Sequence, residues 1–241
     1  MTVKPYAHSG AGKKEQVKTM FDSIALKYDL LNKILSVGID KGWRRKLVKL
    51  LSQNNPQLIL DVATGTADLA IAVSSLKPQK ITGIDISPKM LQIGKEKVKK
   101  IYLEEIIDLK IGDAENLPFP ENSFDAVCVA FGVRNFENLE TGLKELNRVL
   151  KPGGEVFILE FSQPQMFPVK QIYNFYSKRI LPVIGKKISG DDSAYKYLPD
   201  SVNAFPFGNN FLHILSGCGF SQNKLHSLTF GIASIYTGKK N

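Results

Sequence analysis

The sequence predicts an α/β fold, a mostly parallel, Rossmann-like seven-stranded sheet with one antiparallel strand at its end. Three observations carry that prediction. From residue 58 to 161, apolar runs of strand length alternate with helical patterns, the mark of parallel strands joined by crossover helices. The run "LILDV" (58–62) passes into a helix through the small residues "ATGTA", a composition that lets a ligand lie against the backbone. The ending breaks the alternation: two strand patterns, 223–229 and 232–237, flank Phe230-Gly231, and so short a link joins only antiparallel neighbours.

The elements follow in order. Residues 1–14 read as disordered. Val17, Phe21, Ile24 and Tyr28 share one helical face, predicting a helix over 15–28. A second helix is expected from about Gly42 to Leu51. Leu58–Val62 is a buried strand and Asp68–Ser75 a helix. Lys80–Ile84 is the second strand, followed by Asp85 and a helix capped by Ser87 with Pro88 in its first turn. Leu109–Ile111 and Phe124–Phe131 are the next strands. Leu139, Leu143, Leu146 and Leu150 mark a helix that "KPGG" stops before the strand Val156–Phe161. Residues 163–205 form a polar, aromatic insertion around "IYNFYSKRILPVIG", of a size that caps a pocket. A helix over Asn209–Gly217 precedes the final strand pair. The chain thus divides into a tail and helical cap (1–53) and a ligand-binding domain (54–241) with a lid-like insertion.

At 43% apolar and 23% charged residues, an ordinary globular core is expected. No apolar run is long enough to span a bilayer, and the start lacks a secretory apolar stretch. Cys128 and Cys218 have no metal-ligand spacing and read as reduced core thiols, which points to a cytoplasmic protein. His8, His213 and His226 form neither a triad nor a metal set, so no metal is expected. The net charge is +9, and residues 1–53 carry +7 of it. That basic arm is a solvated helix face or a peripheral contact with the inner face of the membrane. It lacks the Arg-rich, aromatic-interleaved pattern of a nucleic-acid surface, so no nucleic-acid partner is expected.

The glycine-containing loop has two acidic companions. Asp85 lies 20 residues beyond Gly65, at the end of the second strand, where a carboxylate accepts the hydroxyls of a ribose. Asp113-Ala114 follows the third strand, within reach of an adenine. NAD is the rival ligand. The small positions here are Ala63, Gly65 and Ala67 rather than G-x-G-x-x-G, and the antiparallel ending also argues against a dinucleotide fold. S-adenosyl-L-methionine fits better, with its carboxylate at the loop and helix start around Thr66.

Four stretches carry a resemblance: "MFDSIALKYDLLNKILSVGIDKGWRRKLV", "LDVATGTADLA", "FGVRNFEN" and "RVLKPGGEVFILEFS", with "SAYKYLPDSV" beside them. Over about residues 15–238 the chain resembles the class I S-adenosylmethionine-dependent methyltransferases, and more narrowly the C-methyltransferases of menaquinone and ubiquinone biosynthesis. The resemblance implies S-adenosyl-L-methionine as cofactor and a polyprenyl quinol as substrate, demethylmenaquinol first and 2-polyprenyl-6-methoxy-1,4-benzoquinol second. A reading of another class is a binding protein on the same fold with an impaired cofactor site. The resemblance implies Arg134 in proton removal. Arginine is a poor base, so we assign Arg134 to the quinolate oxygen or to orienting a water, with Asn135 on the second oxygen or that water. The alternative for Arg134 is a surface pair with Glu137. Tyr28 and Asp29 belong to a region that folds over the site, with Asp29 as a base or, alternatively, as a cap of the following helix. Trp43, Arg44 and Arg45 support the cap, touch lipid headgroups or join the core. Tyr173, Phe175, Tyr176, Ile180, Leu181 and Val183 line an isoprenoid path or pack as core. A homodimer is compatible with the sequence. One departure stands out: Ala67 occupies a position usually glycine in the family. A positive φ there would cost ~1–2 kcal/mol; otherwise the methyl would crowd the cofactor.

Overall fold

A computed structural model of the 241-residue chain describes residues 3–6, 9–36, 38–176, 179 and 192–241. Two helices come first, α1 (Lys13–Leu35) and α2 (Ile39–Leu51). The alternating core follows: β1 (Leu58–Val62), α3 (Asp68–Val73), β2 (Lys80–Asp85), α4 (Pro88–Lys100), β3 (Ile107–Ile111), β4 (Phe124–Ala130), α5 (Leu139–Val149) and β5 (Leu150–Phe161). Next are α6 (Val169–Phe175), α7 (Asp192–Ala204) and α8 (Asn209–Gly217), and the chain closes with β6 (Phe220–Leu228) and β7 (Ala233–Lys240).

The seven strands form one sheet in the order β3-β2-β1-β4-β5-β7-β6. β1 to β5 pair in parallel, and β7 is antiparallel to both of its neighbours. Alternate strand residues feed opposite faces. Leu60, Val62, Val156 and Ile158 enter one core cluster, while Ile59, Phe157 and Leu159 enter the other. Strand order reverses at β1, between β2 and β4, so the crevice opens beyond the carboxyl ends of these three strands. The chain reaches it at the short links after Val62, Asp85 and Ala130.

The largest departures from expectation lie at the ends of elements. α1 starts at Lys13 inside the tail expected to be disordered, because the Lys13 amide donates to Glu137 Oε1 (2.6 Å). A distant carboxylate supplies the cap that Gly12 cannot. α1 also continues to Leu35. Asp29 therefore lies mid-helix, which excludes its reading as a cap. The "KPGG" turn sits inside β5: Leu150 pairs with Phe124, the chain turns at Gly153 (φ 76°), and pairing resumes at Glu155. Trp43 is core, packed edge-on against Phe161 and donating from Nε1 to Thr229 Oγ1 (2.8 Å). A third cluster joins Val17, Met20 and Ile24 of α1 to Tyr197 of α7, tying the N-terminal helix to the insertion. His8, Ile180, Leu181 and Val183 lie outside the described residues.

Candidate active site

The first wall is made of backbone at the strand ends. After β1 the chain turns through Ala63 (φ 55°), Gly65 (φ 56°) and Ala67 (φ 66°). It is pinned by the Thr64 amide donating to Ile84 O (2.9 Å) and the Ala67 amide donating to Thr64 O (2.9 Å). Asp85 organises this turn. Its Oδ2 accepts the Gly65 amide (2.9 Å) and its Oδ1 the Ser87 amide (2.8 Å). Ser87 caps α4 by accepting the Met90 amide (3.2 Å), and its hydroxyl donates to Asp22 Oδ1 of α1 (2.6 Å). Burial pushes the Asp85 carboxyl up to about 6, against the pull of its backbone donors. Asp61 lies deeper, with Thr64 Oγ1 donating to it (2.6 Å), and burial raises its pKa to about 7. Asp113 Oδ1 accepts the Glu115 amide (2.9 Å), and its Oδ2 accepts Lys14 Nζ of α1 (2.7 Å).

Ala67 is fully buried, and its Cβ packs toward Gly94 of α4; a Cβ placed on Gly94 would lie 3.3 Å away. It belongs to the core and not to the cavity lining. Of the two expected effects of this residue, the structure carries the backbone one and not crowding of a ligand.

The second wall gathers side chains from far apart. Arg134 and Asn135 sit in the single turn that follows β4. Arg134 does not pair with Glu137. Its Nη1 donates to Glu160 Oε1 (2.8 Å) and to Phe131 O, and its guanidinium lies 5.4 Å from the Phe161 ring centre. Glu160 is completely buried within β5. Burial raises its pKa, and the Arg134 charge opposes that shift. Arg134 Nε is buried without a hydrogen-bond partner among the described residues. Asn135 Nδ2 donates to Phe131 O (3.3 Å), and Asn135 Oδ1 accepts the Tyr197 hydroxyl (3.0 Å). Burial pushes both Tyr173 and Tyr197 up to about 12.

Tyr28, Gly65, Asp85, Asp113, Ala114 and Asn135 line one cavity between these walls, with Phe131 and Gly132 at its side and Val17 and Phe21 of α1 across it. Burial raises the Tyr28 hydroxyl, whose ring meets Phe21 edge-on at 5.9 Å. Three expected site residues stand behind the lining. Arg134 is one. Thr66 is buried and its hydroxyl donates to Asp29 Oδ1 (2.6 Å). Asp29 Oδ2 accepts Lys97 Nζ (2.9 Å).

Lys97 of α4 is the hub of a clamp. It also reaches Thr66 Oγ1 (3.2 Å) and the Asp68 carboxylate. Arg44, paired with Asp40, approaches Asp68 at 3.4 Å. At the other end of α1, Lys13 Nζ donates to Arg134 O (2.9 Å) and Phe136 O (2.7 Å), and burial lowers its pKa to about 8. α1 is therefore held across the cavity at both ends.

Glu160, Tyr197, Lys14, Lys97 and Asp61 join the site without being expected there from the sequence. Two carried a signal. Glu160 is the lone acid in the apolar run "VFILEF", and Asp61 the lone acid in "LILDV". A carboxylate facing a core needs a partner or a raised pKa. The lysines carried none, because their partners are 99 and 68 residues away.

Residues 10–240 match the ubiE/COQ5 methyltransferase family. The chain is 50% identical over 239 residues to a demethylmenaquinone methyltransferase of Bacteroides fragilis, covering 99% of this chain and 97% of that one. It is 47% identical over 230 residues to a ubiquinone/menaquinone biosynthesis C-methyltransferase UbiE of Geotalea daltonii, covering 95% and 97%. Among solved structures it resembles a SAM-dependent methyltransferase of Thermotoga maritima, possibly a histamine N-methyltransferase by its description (TM-score 0.66, 18% identity, 93% and 99% covered). It also resembles the [4+2]-cyclase SpnF (TM-score 0.68, 17% identity, 95% and 97% covered). At such identities these two likenesses speak for the fold alone.

Proposed function

The chain belongs to the ubiE/COQ5 methyltransferase family, and on that premise we propose that it methylates a ring carbon of a polyprenylated hydroquinone, turning demethylmenaquinol into menaquinol. One observation carries the reading. A single cavity brings Gly65, Asp85 and Asp113-Ala114 face to face with Asn135 and Tyr28. Asp85 lines the cavity while its two oxygens are oriented by the Gly65 and Ser87 amides, with the Ile86 amide beside them, so its remaining lone pairs can accept from the hydroxyls of a ribose. Asp113-Ala114 would take the adenine, and the backbone from Gly65 to Thr66 the methionine carboxylate. S-adenosyl-L-methionine supplies an electrophilic methyl group there when bound.

A ring carbon becomes nucleophilic once a neighbouring hydroxyl ionises, so the second wall has to favour a quinolate and align it. Asn135 and the Tyr28 hydroxyl are the polar side chains on that side of the lining, and we assign them to the quinol oxygens. Arg134 works from behind Asn135, held by Glu160 and supplying positive field. Asp29 is paired with Thr66 and Lys97 and lies outside the cavity lining, so its role here is to clamp the cap (1–53) over the methyltransferase domain (54–241) rather than to act as a base. The ring proton leaves to a water on Asn135.

A benzoquinol acceptor is the second reading, favoured by the double name of the Geotalea relative. The test is label transfer from methyl-labelled cofactor to each quinol. Label on the naphthoquinol ring carbon is expected. Transfer to the benzoquinol alone, or cofactor binding without transfer to either, would overturn the reading. No described helix is long and apolar enough to cross a membrane. The basic N-terminal region, with +7 of the net charge in residues 1–53, would provide a peripheral contact with the bilayer that holds such a substrate.

A further inference from the structure

We propose that the outer face of α1, together with the loop tips at the same end of the sheet, is a docking face for an anionic lipid bilayer. This deepens the peripheral contact proposed above and rests on it. α1 is apolar on two sides. Val17, Ile24 and Tyr28 face inward, while Leu26, Leu30 and Ile34 recur every fourth residue on the other side. Leu26 is 92% exposed, and Leu30 and Ile34 are also classed as exposed. A helix that only covered a cavity would carry polar residues there.

The loop tips extend this surface. β5 ends at Phe161 opposite Ala233, where β7 begins, so the turns beyond both lie at the end of the sheet that holds the cavity. Gly231 packs against Pro164: a Cβ placed on it would meet Pro164 Cα at 3.4 Å. Phe230, Met166 and Phe167 project from these two turns, at 72%, 65% and 81% exposure. The Trp43–Thr229 hydrogen bond brings the start of α2, with exposed Ile39, to the same place.

Charge identifies the occupant. Lys27 and Lys33 flank the α1 stripe, and Lys41, Arg45 and Lys170 are exposed nearby in the chain. Among the described residues none of these five pairs with a carboxylate. The acids of residues 24–41 are Asp29 and Asp40, tied to Lys97 and Arg44, and residues 163–176 contain no acid. A second copy on this face would set lysine against lysine about a two-fold axis. An anionic headgroup layer complements the cations while its acyl boundary takes up the leucines.

The test is flotation of the full chain with vesicles of phosphatidylglycerol and phosphatidylcholine, without quinol, so that it does not depend on the identity of the acceptor. We expect binding to the mixed vesicles, at least tenfold weaker binding to pure phosphatidylcholine, and loss in high salt. Leu26→Glu/Leu30→Glu and Lys27→Glu/Lys33→Glu should each lower binding about tenfold or more. Tyr102→Glu, at the opposite end of the sheet, should not, and cofactor affinity measured by calorimetry should stay unchanged in all three. Equal flotation of wild type and variants would overturn the proposal, as would no flotation of the wild type. A wild-type dimer dissolved by either double substitution would assign the face to a second copy instead.

Discussion

The two walls of the cavity are built by different means. The wall we assign to the cofactor is backbone: Asp85 holds the Gly65 and Ser87 amides, and parallel register sets strands β1 and β2 side by side. The wall we assign to the acceptor is side chains brought from separate elements: Arg134 on Glu160, Asn135 under Tyr197, and α1 clamped by Lys97 and Lys13. A wall of backbone tolerates substitution around it and fails when its organising carboxylate is lost. A wall of coupled side chains fails wherever a buried partner is removed.

The largest effect that separates the walls is expected at Arg134. Arg134→Ala leaves Glu160 buried and unpaired, at a cost of about 3–5 kcal/mol, read as a lower urea midpoint. Methyl transfer should be abolished while the folded fraction still binds cofactor. Arg134→Ala/Glu160→Gln should recover most of the stability and none of the activity. Normal turnover by Arg134→Ala would remove that residue from the account.

Asp85→Asn tests the other wall. The loss of two charge-assisted hydrogen bonds should weaken cofactor binding by about 10- to 100-fold, with little change in melting temperature. Lys97→Met is expected to raise the quinol KM several-fold and to leave kcat nearly unchanged, because it loosens α1 without touching the lining.

The dependence on pH sharpens the contrast further. Asp85 must be ionised to accept two hydroxyls, so cofactor affinity should fall as pH drops through about 6, and Asp85→Asn should flatten that slope. The effect on stability has the opposite sign. A carboxyl whose folded pKa is raised binds its proton more tightly in the native state, so Asp61 and Asp85 cost stability as pH rises from about 4 through their folded values near 7 and 6. The smallest effect is expected at Ala67. Ala67→Gly relieves a positive φ worth ~1–2 kcal/mol, less ~0.5–1 kcal/mol of added chain entropy and about 0.8 kcal/mol for the buried methyl it removes. These terms nearly cancel, so the melting temperature should move by no more than a few degrees, without a change in cofactor affinity.

The same contrast explains what was legible beforehand. The fold could be read because strand and helix periodicities are local, and so could the Ser87-Pro88 start of α4 and the antiparallel ending. That Gly65, Asp85 and Asp113-Ala114 meet at one cavity could be read because their spacing follows strand length. The partner of Arg134 could not: nearby Glu137 is equally acidic, and only the pairing of β4 with β5 brings Glu160 beside it. The Asp29 clamp was hidden because α1 runs seven residues beyond the expected end at Tyr28, which turns an apparent cap into a mid-helix side chain.

A ribose resting on Asp85 at the reversal of strand order is the geometry on which the other assignments depend. Calorimetry with S-adenosylhomocysteine and its 2′-deoxyribose analogue reads it out. The wild type should prefer the ribose form by about tenfold, and Asp85→Asn should bind the two forms nearly equally. A wild type that binds both forms alike, or a variant that keeps the full preference, would contradict the account.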